Sequence, residues 1–132
     1  MKTFYIASSL KNIKIVRFVS ERFINEGFVH AYDWTINDNI TSINQLKDIG
    51  NMELEAVLKS DFIVVLFPAG KGSHVELGIA LGNGIKAYLY SKNDEINELE
   101  TTSTFYHLDG VSKCNGTIEE LIKTVLKDQK NR

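Results

Sequence analysis

Apolar residues along this chain fall into two rhythms. Phe62-Ile63-Val64-Val65-Leu66-Phe67 is an unbroken apolar run rich in β-branched and aromatic residues, as expected of a strand covered on both faces in a parallel sheet. Shorter stretches at 2–7, 28–32 and 85–90 predict three more strands, and 104–108 a short fifth. Between them the period changes. Ile13, Val16, Phe18, Val19, Phe23 and Ile24 recur at roughly helical spacing up to Gly27, a suitable C-cap. Residues 43–60 read as a second helix, with an interruption expected near Ile49-Gly50-Asn51. A third follows the central strand, and Asn115-Gly116-Thr117 opens a last one over 118–129. Strands alternating with helices predict an α/β fold: one domain over 1–132, a three-layer α/β/α sandwich around a parallel sheet of about five strands with right-handed crossovers. Flavodoxin-like and Rossmann-like winding both satisfy this pattern, and the strand order stays open.

The stretch after the central strand carries the chemistry. Pro68 cannot donate a ladder hydrogen bond, and Gly70 and Gly72 permit a sharp loop, so the strand ends at the sheet edge where open α/β sheets bind ligands. Ser73-His74-Val75-Glu76 matches the capping-box pattern S-x-x-E, which places Ser73 as the N-cap of the third helix. Glu76 then has two readings. Its carboxylate closes the cap, or it is a first-turn carboxylate that the helix dipole keeps ionised beside a ligand loop, suited to attack an electron-poor carbon.

Gly72-Ser73-His74-Val75-Glu76-Leu77-Gly78-Ile79-Ala80 behind Asp61 and an apolar strand, together with the opening Phe4-Tyr5-Ile6-Ala7-Ser8-Ser9, resembles the nucleoside 2-deoxyribosyltransferase family over about two-thirds of the chain. The resemblance implies that Glu76 attacks the anomeric carbon of a sugar and that Tyr5 reaches both sugar and nucleophile. It places Glu53, eight residues before Asp61, where relatives carry an acid that acts on the leaving base or a sugar hydroxyl. Ser8, Ser9 and Ser73 fall where phosphate-recognising relatives hold a 5′ phosphate. Gly70, Gly72 and His74 join the substrate-binding set with Asp33 and Trp34, which lie at the end of the second strand and suit hydrogen bonding and stacking with a base. Each has a structural alternative: Tyr5 as a strand aromatic, Ser8 and Ser9 as caps, Asp33 as a turn residue, Trp34 as a core edge, Glu53 as a solvated charge. A homodimer is implied by the resemblance alone. The segment 68–72 has no acid where the transferases place one, which moves the expectation toward a hydrolase.

Composition narrows the rest. With 132 residues, 43% hydrophobic and 24% charged, the chain is long enough for a core of its own. A net charge of -2 with scattered Lys and Arg gives no footprint for a nucleic-acid polymer. No stretch is apolar enough to span a bilayer, and the start lacks a signal-peptide core, so a cytoplasmic protein is expected. Cys114 is the single cysteine, and the three histidines His30, His74 and His107 lack ligand spacing, so no metal and no cofactor are expected. The expected function is cleavage or transfer of an N-glycosidic bond in (deoxy)nucleosides or nucleotides through a glutamate nucleophile and a glycosyl-enzyme. The rivals are an NAD glycohydrolase or cyclase of the kind found in TIR domains, which resemble this fold, and a non-catalytic nucleotide sensor in which Glu76 is only a cap.

Overall fold

A computed structural model describes residues 1–132. In chain order it contains β1 (Thr3–Ser8), α1 (Ile13–Asn25), β2 (Val29–His30), α2 (Ile43–Leu58), β3 (Phe62–Leu66), α3 (Lys71–Gly82), β4 (Lys86–Ser91), β5 (Val111–Asn115) and α4 (Ile118–Lys130). The five strands form one fully parallel sheet in the order β2-β1-β3-β4-β5. That is the flavodoxin-like order, with the direction of winding reversing at β1. Right-handed crossovers then decide the layers. The connection from β1 to β2 runs one way across the sheet and those from β2 to β3 and β3 to β4 run the other, so α1 lies on one face and α2 and α3 on the opposite one. The contacts agree: α1 packs with α4, and α2 with α3.

Every residue of β3 is buried, as its unbroken apolar sequence requires. On the α1/α4 face Phe4, Phe23, Phe28, Phe62 and Tyr88 form an aromatic cluster, with Phe62 edge-on to Phe23, Phe28 and Tyr88 at centroid separations of 5.8, 5.5 and 5.8 Å. Tyr5 alternates with Phe4 along β1 and therefore points to the α2/α3 face.

Four expectations need correcting. The fifth strand is Val111–Asn115, whereas Thr104–His107 is a 3-10 turn capped by the Ser103 hydroxyl, which accepts from Phe105 N–H. Cys114 thus sits on an edge strand. β2 is only two residues long, and α2 runs unbroken through Gly50. Finally, α3 begins at Lys71 with Gly70 as N-cap, so Ser73 is its third residue and no capping box forms. His74 explains the earlier start. Its backbone N–H donates to Gly70 O at 3.2 Å and its ring Nδ1 meets the same carbonyl at 2.8 Å, closing a turn ahead of Ser73.

Candidate active site

At the carboxyl edge of β1 and β3, residues of α2 and α3 line a cavity of about 500 Å³. Two helical faces line it: Gly50, Glu53 and Leu54 of α2 lie at spacings of three and four, as do Gly72, Val75, Glu76 and Ile79 of α3, with Ser8, Leu10, Trp34 and Ser73 completing the wall. Leu10, Gly50, Leu54, Val75 and Ile79 were not anticipated as site residues. The α2 spacing of Gly50, Glu53 and Leu54 is the signal that would have found three partners of one cavity.

Tyr5 is fully buried beneath this cavity, and its hydroxyl donates a short hydrogen bond to Glu76 Oε2 and lies 3.4 Å from Glu53 Oε2. Tyr5, Glu53 and Glu76 therefore form one cluster, drawn from β1, α2 and α3. Its electrostatics are set by burial. Desolvation raises Glu76 to about 7 despite the hydrogen bond from Tyr5, and the nearby Glu53 adds to the rise. Burial likewise raises Glu53, and Tyr5 is pushed far above the ordinary phenol range by burial and then by the charge of Glu76. Glu76 lies in the second turn of α3, and not in the first, and desolvation is the largest influence on its carboxyl.

The other anticipated residues divide. Ser73 is 5% exposed and lines the cavity. No side chain caps α3, so the N–H groups of its first turn, which includes the lining residues Gly72 and Ser73, lack a side-chain partner. Ser8 lines the cavity, but its hydroxyl donates to Leu66 O at 2.7 Å and accepts from Asn12 Nδ2 at 3.0 Å. Trp34 is a cavity wall 8% exposed whose Nε1 donates to Ile6 O at 2.7 Å, so it is at once core edge and lining. Ser9 and Asp33 are turned to capping: Ser9 accepts from Lys11 N–H at 3.2 Å and Asp33 from Thr35 N–H at 3.0 Å. Gly70 lies outside the lining. His74 faces away on the other flank of α3, where its Nε2 meets the Tyr106 hydroxyl at 2.6 Å beside a separate apolar cavity of about 630 Å³.

No group of three or more His, Cys, Asp or Glu with metal-binding geometry occurs, and no helix is long and apolar enough to cross a membrane. Neither a protein-family model nor a curated protein matches the sequence. Among solved structures, the chain is similar to a CMP N-glycosidase from Clostridium botulinum, BcmB, at 17% identity and a TM-score of 0.57, covering 96% of this chain and 99% of that one. It is also similar to a conserved protein from Enterococcus faecalis at 15% identity and a TM-score of 0.66, covering 97% and 99% respectively. At such identities the likeness establishes the fold along the whole chain, and that fold is the parallel α/β sandwich the sequence pattern implies.

Proposed function

We propose that the protein cleaves the N-glycosidic bond of a nucleoside or nucleotide, with Glu76 as nucleophile. The observation that carries this reading is the meeting of Glu76 and Glu53 on the Tyr5 hydroxyl beneath a cavity sized for a small molecule. The reading is further supported by the resemblance to nucleoside 2-deoxyribosyltransferases and by a shared fold with a CMP N-glycosidase.

In the first step a Glu76 oxygen bonds to C1′ while the C1′–N bond breaks and its electron pair leaves with the base. Glu53 gives its proton to that base. Tyr5 holds the attacking carboxylate in place by donating its hydroxyl to it, and no Lys, Arg or His side chain lines the cavity to neutralise the anion that stabilises the oxocarbenium-like centre. In the second step water attacks C1′, the Glu76–C1′ bond breaks, and the water proton returns to Glu53. A second base in place of water gives transfer. In this reading the start of α3 at Gly72 and Ser73 receives the 5′ end of the sugar, which suits either a hydroxyl or a phosphate.

The test is chromatography of wild type and of Glu76→Gln with deoxynucleosides, ribonucleosides, their 5′ monophosphates and NAD, each with and without a second free base. Wild type is expected to release free base, and Glu76→Gln to lose about 1,000-fold or more of that rate. Base exchange identifies a transferase, and consumption of NAD alone identifies the TIR-like activity. If neither protein turns anything over and one nucleotide stabilises both equally, the domain is a sensor and the catalytic reading is wrong.

A further inference from the structure

The start of α3 has no side-chain cap, yet its N-cap carbonyl is tied to a turn far along the chain. Gly70 O accepts from the His74 backbone N–H at 3.2 Å and meets the His74 ring Nδ1 at 2.8 Å. A carbonyl oxygen only accepts, so Nδ1 carries the ring proton. In the neutral ring Nε2 is then an acceptor, and the Tyr106 hydroxyl at 2.6 Å donates to it. The three groups make one directed chain, from Tyr106 through His74 to Gly70 O, in which each bond polarises the next. Tyr106 is a firm origin. It is 4% exposed and sits in the 3-10 turn Thr104–His107, capped by Ser103, in the connection between β4 and β5. Phe67, which follows β3, lies edge-on to both rings, with centroids 6.1 Å from His74 and 5.5 Å from Tyr106.

Residues 92–110 line no part of the cavity that holds Glu76. Their hydrogen-bonded chain nevertheless ends on the helix that carries it. At about 100° per residue, His74 and Glu76 lie about 200° apart around α3, so the helix is gripped on one flank and presents its carboxyl on the other. We propose that Tyr106 and His74 are positioning residues: their relay fixes the start of α3 from outside the cavity and so sets where the Glu76 carboxyl stands against Tyr5 and Glu53. The inference rests on the glycosidase reading above for its effect on rate, and adds to it two residues that touch neither the cavity nor the carboxyl pair.

Two variants break the relay at the same contact. Tyr106→Phe removes only the hydroxyl. His74→Asn loses the reach to Tyr106 but keeps a donor for Gly70 O, as Asn83 Nδ2 donates to Ile79 O four residues earlier at 2.8 Å. In carbon-13 spectra of protein labelled at the glutamate carboxyls, the Glu76 resonance, identified by its loss in Glu76→Gln, is expected to move in both variants. That of Glu119, held by Arg22 between α1 and α4, is expected to stay. A merely destabilising change leaves both in place while the protein is folded. With the nucleosides and nucleotides of the preceding test, kcat for base release is expected to fall by about tenfold or more, as for an attacking group held off line. Binding of the four deoxynucleosides, reported by emission of Trp34, the only tryptophan and part of the cavity wall, is expected to change by less than about threefold. A Glu76 resonance that does not move, or an unchanged kcat in variants of an active wild type, overturns the inference and leaves the glycosidase reading standing. A moved resonance in a protein whose wild type releases no base leaves the relay as described and removes the glycosidase reading.

Discussion

Unfolded, Glu76 would release its proton near the ordinary value of 4.5; folded, burial holds that proton to about 7. Between these two values the native state binds a proton that the unfolded chain has lost, so stability falls as pH rises across the interval and is level above it. The carboxyl is most favourable to the fold when neutral, and catalysis by attack requires it charged. Scaled at 1.36 kcal/mol per pH unit, the cost of ionising Glu76 in place reaches about 3 kcal/mol above pH 7. Glu76→Gln stays neutral throughout. Its thermal midpoint is therefore expected to match wild type near pH 4.5 and to exceed it at pH 8, with calorimetry across the series as the check. A variant that is no more stable at pH 8 would show that the carboxyl is not held neutral by burial. The same residue marks a limit of sequence reading. The pattern S-x-x-E before an apolar run is satisfied by Ser73 and Glu76, but the carboxylate is drawn to Tyr5, which lies 71 positions earlier in the chain. A local motif cannot register a competing partner that only the sheet brings near.

At the scale of elements, α2 shows a propensity overridden. A break near Gly50 is reasonable because glycine in a helix costs about 1 kcal/mol relative to alanine. The helix nevertheless continues, held at its start by a capping box in which Ser42 accepts from Gln45 N–H at 3.1 Å and the Gln45 side chain accepts from Ser42 N–H at 3.1 Å. A Cβ built on Gly50 meets no atom within 4 Å. Gly50→Ala is thus expected to stabilise the fold by about 1 kcal/mol, raising the thermal midpoint by about 4 °C. A lower midpoint would mean that the residue's conformation, and not its missing side chain, is what the helix requires. The misplaced fifth strand has a related cause. Thr104-Phe105-Tyr106-His107 carries the β-favouring side chains, yet Val111-Ser112-Lys113-Cys114-Asn115 forms the strand. It is an edge strand paired on one side only, its burial is partial, and its place follows from the register with β4, in which Ala87 faces Val111 and Ser91 faces Asn115. β-propensity reflects fit to a packed surface, and an edge with little packing leaves few traces in sequence. By contrast β1, β3, α1 and α4 were legible because each buries a continuous run or one periodic face.

For the molecule as a whole, the alternation of side chains along β1 separates two tasks. Phe4 joins the aromatic cluster beneath α1 and α4, and Tyr5, the next residue, reaches the carboxyl pair between α2 and α3. One face of the sheet holds the aromatic cluster, and the other buries a carboxyl at a cost and, on the proposed reading, carries the chemistry. Phe62 lies at the centre of the first face, fully buried and edge-on to three rings. Removing its ring loses the transfer energy of the side chain and leaves a cavity that the surrounding rings cannot fill, so Phe62→Ala is expected to cost about 3–5 kcal/mol. A domain of this size has about 5–15 kcal/mol in total, so the variant stays mostly folded at 25 °C but with a large part of its margin gone. In urea its midpoint is expected to fall with an unchanged slope. Binding of nucleosides reported by Trp34 should be unaltered below the transition, because Phe62 shares no partner with Tyr5, Glu53 or Glu76. Weakened binding by a Phe62→Ala protein that is still folded would show that the sheet transmits packing from one face to the other, and that the division of labour between its faces is incomplete.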